Sequence, residues 1–186
     1  MAEFIMKKLV KDAGLTDRFE IASAATSSEE IWNGVGNPVY PPARKIMEKH
    51  GLNCDGKQAV QMTKADYDHY DYLIGMDKAN IRNMSWICGG DPDGKFSMMM
   101  DYTERPGAVA DPWYTGDFTS TWEDLWEGCH GLLDFLTREE PDLTEDPEKG
   151  NYAGDYSPRY QKPYDIYEKA RAQSKKMKRA HKGKNK

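Results

Sequence analysis

The sequence predicts an α/β fold, a parallel sheet with helices on both faces, and three observations predict it. Helical stretches alternate with short apolar runs along the chain, the order expected of βα units. Two of those runs, 71–76 (DYLIGM) and 96–101 (FSMMMD), are compact and uninterrupted, as buried parallel strands are. The stretch 120–138 places Trp122, Leu125, Trp126, Cys129, Leu132, Leu133 and Leu136 on one stripe, which suits a long helix packed on such a sheet.

The remaining elements follow from local signals. Phe4, Ile5, Leu9 and Val10 repeat at helical spacing and Gly14 stops them, predicting a helix over 2–13. Phe19 and Ile21 alternate before a run of small residues, predicting a short strand over 18–24. The Ser-, Gly- and Asn-rich stretch that follows reads as a loop. Pro41 and Pro42 open a helix that runs to His50, with Gly51 closing it. Thr63 and Asp66 form a capping-box-like start, with Asp in place of the usual Glu. Asp77 caps a helix over 78–86. A loop rich in Pro, Gly and Asp covers 103–118. Beyond Pro141 the apolar pattern fails, so residues 1–140 form the folded domain and 141–186 a basic, disordered tail.

Composition excludes several classes. Hydrophobic residues are 38% and charged residues 31% of the 186. No apolar run approaches the roughly 18 residues of a membrane helix, so no membrane partner is expected. The amphipathic N-terminus lacks the apolar core of a secretory leader. Cys54, Cys88 and Cys129 make no CxxC pair, which argues against a zinc or dithiol site and for a reducing, cytoplasmic setting. Net charge is −5, divided between −13 over residues 1–161 and +8 from Lys162 onward. No aromatic residue interleaves the final basic run, and a solvated extension is expected there in preference to a nucleic-acid contact.

Chemistry in such folds sits at the carboxyl ends of the strands, here the loops after 24, 76 and 101. The last of these holds Asp111-Pro112-Trp113-Tyr114. An Asp stiffened by Pro and flanked by two large rings suits a general acid. The rings can desolvate the carboxyl and line a slot for a flat substrate. Asp-Pro also opens ordinary turns, so the residues alone leave both roles open. No cysteine has Arg six residues on, since Val60, Gly94 and Phe135 stand at those positions. Cys129 lies on the apolar stripe; Cys54 and Cys88 are placed in loops with no role. His50 sits at a helix end, and His69 and His130 are isolated polar helix positions. Met98, Met99 and Met100 read as buried strand, and no metal site is indicated.

Taken together, the segments at 23–27, 36–51, 61–77, 80–84 and 101–118 resemble low-molecular-weight protein tyrosine phosphatases over about residues 1–137. The DPWY loop and the GMD-x-x-N segment are the most specific. The resemblance implies a flavodoxin-like three-layer fold with strand order 2-1-3-4, and two-step hydrolysis of a phosphotyrosine protein or small aryl phosphate without metal or organic cofactor. It implies Asp111 as the acid that protonates the leaving oxygen, with Trp113 and Tyr114 flanking the substrate ring. In the family, a first strand and a Cys-x5-Arg-Ser-Pro loop precede a helix like MAEFIMKKLV. The expectation is therefore a domain lacking strand 1, nucleophile, arginine and phosphate cradle, with its start assigned to an internal methionine, inactive as it stands. A true truncation, a non-catalytic pseudo-phosphatase or interaction protein, and an arsenate-reductase-like relative are the alternatives.

Overall fold

A computed structural model describes residues 1–139 of the chain; the tail expected from 141 onward lies outside the described residues. Helix α1 (Ala2–Asp12) buries Ile5, Met6, Leu9 and Val10, a stripe fixed by its 3.6-residue repeat. It packs on α6 (Phe118–Glu139), whose inward face holds Trp122, Leu125, Cys129, Leu132, Phe135 and Leu136. Phe135 joins the predicted stripe, while Trp126 sits at its rim, 36% exposed.

Helix α2 (Pro41–Lys49) starts with Pro at its first turn and contributes Met47 to the same core. The start of α3 (Lys64–His69) is the predicted capping box, with Thr63 and Asp66 closing it reciprocally. Strand β3 (Leu73–Gly75) runs into α4 (Lys78–Cys88), where the Asp77 carboxylate accepts from the Asn80 N–H at 2.7 Å. Strand β4 (Phe96–Met98) pairs with β3 in parallel, Ile74 opposite Ser97. Successive side chains of β3 face opposite sides. Ile74 and Met76 therefore pack on the core under α1 and α6, whereas Leu73 joins Met62, Tyr67, Met84 and Cys88 on the other face. This gives the predicted helix–sheet–helix layering.

Several expectations need correction. Residues 18–24 form no strand: a 3-10 turn (Thr16–Arg18) is followed by extended chain, with a lone parallel bridge from Ala25 to Gln61. A strand needs a partner to supply its hydrogen bonds, and among the described residues 19–24 find none. The apolar run 96–101 is strand only to Met98, then tightens into a 3-10 turn (Met99–Tyr102) whose side chains bury against α6. Within the expected loop after 24, a hairpin joins β1 (Ile31–Trp32) to β2 (Val35–Gly36). Its turn places Asn33 at φ 49° and Gly34 at φ 77°, the left-handed pair that two-residue hairpins require. Cys88 ends α4 and is buried, not in a loop; Cys54 is buried too. His69 is not isolated, since its Nε2 lies 3.0 Å from Glu20. His130 is half-buried, its ring edge-on to Trp126.

Candidate active site

Asp111 stands at the head of the one-turn helix α5 (Pro112–Thr115). Proline at the first helical position needs no hydrogen-bond acceptor there, and the Asp111 Oδ1 accepts from the Trp113 N–H at 2.8 Å. Gly116, at φ 68°, ends the turn and donates to the Pro112 carbonyl. Asp111 itself is exposed. The expectation that neighbouring rings desolvate its carboxyl is corrected accordingly: Trp113 is 71% and Tyr114 87% exposed, so both rings stand out into solvent.

Trp113 is not alone. Its ring meets Tyr40 at 5.5 Å with an interplanar angle of 61°, and Tyr40 meets Phe118 at 5.9 Å. Tyr40 lies immediately before α2 and Phe118 at the start of α6. An aromatic row from three separate parts of the chain therefore includes the ring two residues after Asp111, in edge and tilted contacts that aromatic quadrupoles favour. The sequence reading singled out Asp111, Trp113 and Tyr114 but not Tyr40, whose ring meets Trp113; its one signal was a large ring directly ahead of two prolines at a helix start. Tyr114 stays apart from this row, at the tip of the turn.

The root of the loop is held tightly. The Val109 N–H donates to the Met76 carbonyl at 2.9 Å, fixing it just past the carboxyl end of β3. The Ala110 N–H donates to Asp124 Oδ2 at 2.9 Å, and the Ala110 carbonyl accepts from the Thr121 hydroxyl at 2.6 Å. Asp124 also pairs through Oδ1 with Arg105, 3.1 Å away, which in turn reaches Glu127. The loop that carries Asp111 thus lies at the carboxyl end of β3.

Cys54, Cys88 and Cys129 are free thiols. All three are buried. Burial pushes the Cys129 thiol up to about 12 and raises Cys88 as well, which keeps the reactive thiolate scarce. Among the described residues, no group of three or more His, Cys, Asp or Glu side chains could hold a metal ion. Nor is any described helix long and apolar enough to cross a membrane.

The low molecular weight protein-tyrosine-phosphatase YfkJ of Bacillus subtilis is 31% identical over 141 residues, covering 75% of this chain and 88% of that protein. PtpA of Staphylococcus aureus, of the same description, is 29% identical over 139 residues, covering 75% and 86%. The crystal structure of YfkJ superposes with a TM-score of 0.69 at 30% identity, over 75% of this chain and 86% of that one. The low molecular weight protein tyrosine phosphatase of Streptococcus pyogenes superposes with a TM-score of 0.64 at 34% identity, over 76% and 87%. These likenesses establish the flavodoxin-like α/β class expected from the sequence. The family profile described as low molecular weight phosphotyrosine protein phosphatase matches residues 1–142, and the chain belongs to that family.

Proposed function

We propose that the protein acts in phosphotyrosine hydrolysis, with Asp111 as general acid and with Trp113 and Tyr114 flanking the ring of a phosphotyrosine protein or small aryl phosphate. The observation that carries this reading is the exposed Asp111 carboxylate, with Oδ1 engaged at the head of α5 beside the Trp113–Tyr40 row. In the first step a cysteine thiolate attacks phosphorus, the P–O bond to the aryl oxygen breaks, and Asp111 delivers its proton to that oxygen. In the second, the Asp111 carboxylate takes a proton from water as the water attacks the thiophosphate, releasing phosphate and restoring the thiolate. Three buried free cysteines suit a reducing compartment such as the cytoplasm.

The 186 residues contain no Cys-x5-Arg, and the reading therefore makes two separable claims. The 186-residue chain alone turns over neither p-nitrophenyl phosphate nor phosphotyrosine. The same chain joined behind a strand and Cys-x5-Arg loop, the extended chain, hydrolyses both. In the extended chain, Asp111→Asn lowers the kcat/KM for phosphotyrosine by roughly 10²–10⁴, the range of general acid catalysis. It spares the kcat/KM for 2,4-dinitrophenyl phosphate, whose leaving group departs unprotonated, although the shared hydrolysis of the thiophosphate is slowed for both. Steady-state kcat/KM on the two substrates checks this, because it covers the steps through departure of the aryl oxygen and not the thiophosphate hydrolysis that both share. Full phosphotyrosine activity in Asp111→Asn removes the acid role, and turnover by the 186-residue chain means the nucleophile lies elsewhere in it.

A further inference from the structure

We propose that Thr121 and Asp124 of α6 are positioning residues for the acid: together they clamp Ala110, the residue before Asp111, and so fix where the Asp111 carboxyl is presented. The proposal rests on the reading of Asp111 as general acid.

Both polar groups of the Ala110 backbone end on α6. Thr121 and Asp124 are three residues apart, hence on one helical face. Thr121 is 4% exposed, and the Asp124 side chain 15%. The Thr121 hydroxyl has a single proton and two carbonyls in reach, Ala110 at 2.6 Å and Asp117 at 3.2 Å; the nearer one takes it. That carbonyl belongs to the rigid peptide plane that also contains the Asp111 nitrogen and Cα. Holding it therefore orients the Asp111 Cα directly. Asp124 secures the preceding peptide through the Ala110 N–H. Arg105 takes the other Asp124 oxygen, which keeps Oδ2 turned toward that N–H. One residue earlier, Val109 is tied to Met76. Three consecutive loop-root contacts thus anchor a turn whose own side chains stand in solvent.

Such an anchor matters for proton transfer because a general acid works within hydrogen-bond reach of the leaving oxygen. Misplacement by about 1 Å can cost roughly 10²-fold. It also leaves a signature that a purely structural role lacks. Loosening the acid slows substrates that need the proton and spares those that do not.

The test uses the extended chain with phosphotyrosine and 2,4-dinitrophenyl phosphate. Thr121→Val, nearly isosteric, and Asp124→Ala each lower the kcat/KM for phosphotyrosine by about ten-fold or more, while the kcat/KM for the dinitrophenyl ester stays within about two-fold. Thr121→Ser, which keeps the hydroxyl, restores the kcat/KM for phosphotyrosine. Equal losses of kcat/KM on both substrates, or no loss on either, overturn the clamp. Asp111→Asn run alongside separates the two ideas. If it shows the split and the α6 variants do not, the clamp alone fails; if it shows no split, the acid role and the clamp fall together. In the 186-residue chain, Thr121→Val speeds amide hydrogen exchange of 109–114 by about ten-fold with the rest of α6 unchanged, since a freed loop opens locally. Unchanged exchange over 109–114 overturns the clamp independently of turnover.

Discussion

Glu3 is a buried and heavily engaged charge. Its side chain is 6% exposed, with Lys7 2.6 Å from Oε1 and with Lys57 and Ser23 each 2.6 Å from Oε2. Burial alone would raise its pKa. The Lys57, Lys7 and Ser23 hydrogen bonds outweigh that and bring it down from 4.5 to about 2. A carboxylate depressed in this way stabilises the fold fully above its unfolded value and loses that contribution as pH falls toward the folded value. The shift corresponds to about 3 kcal/mol at neutral pH, of which about 2 kcal/mol is gone by pH 3. Urea unfolding at pH 7 and pH 3 measures it. In Glu3→Gln the wild-type loss between these pH values shrinks by about that 2 kcal/mol; an unchanged difference would show that Glu3 is not the group responsible.

At the level of elements, legibility followed the range of the interaction that decides each one. The caps at Asp77 and Thr63 were readable because each lies within three residues of the N–H it satisfies. The break of 96–101 at Met98 was not, because it depends on α6. There the 3-10 turn packs Met99 and Tyr102 against Gly128 and Gly131, where an added Cβ would meet Met99 Cγ and the Tyr102 carbonyl oxygen. In the candidate site, Asp111 and Trp113 were legible as one short motif. Tyr40, Thr121 and Asp124 come from other elements and carry no local signature. The glycines give the clearest test. Ala for Gly in an exposed helix stabilises by about 1 kcal/mol, yet Gly131→Ala drives a methyl into a backbone carbonyl that cannot rotate away. The expected result is a net loss of about 2–3 kcal/mol, in the range of overpacking. Gly128→Ala costs less, because the flexible Met99 side chain can yield. Thermal melts rank the two; a stabilised Gly131→Ala would remove close backbone approach as the reason for glycine there.

Across the whole molecule, the sheet is the least completed part. Strand β3 pairs with β4 on one side, and among the described residues no strand pairs with its other side. The extended segment 19–25 makes its backbone bonds through Ala25, to Val60 and Met62. Its tie to the region before β3 is by side chains, with His69 and Tyr70 both reaching Glu20. Phe19 and Ile21 nevertheless share a core with Ile74 and Met76. Two extended segments thus border one apolar core, and among the described residues no backbone bond joins them. On the proposed reading, a strand added between them in the extended chain stabilises the fold apart from any chemistry it brings. Each buried Val or Ile contributes about 1.5–3 kcal/mol, and ordering the backbone opposes this at about 1–2 kcal/mol per residue. Added backbone hydrogen bonds contribute about 1 kcal/mol each. A five-residue strand nets a few kcal/mol, equivalent to a rise of order 10 °C in Tm for a chain of this size. Circular dichroism melts of the 186-residue and extended chains, the latter with its Cys-x5-Arg cysteine replaced by Ser to remove turnover, measure the difference. Equal Tm values would mean that side chains already close the space between 19–25 and β3, and that the added strand does not join the sheet there.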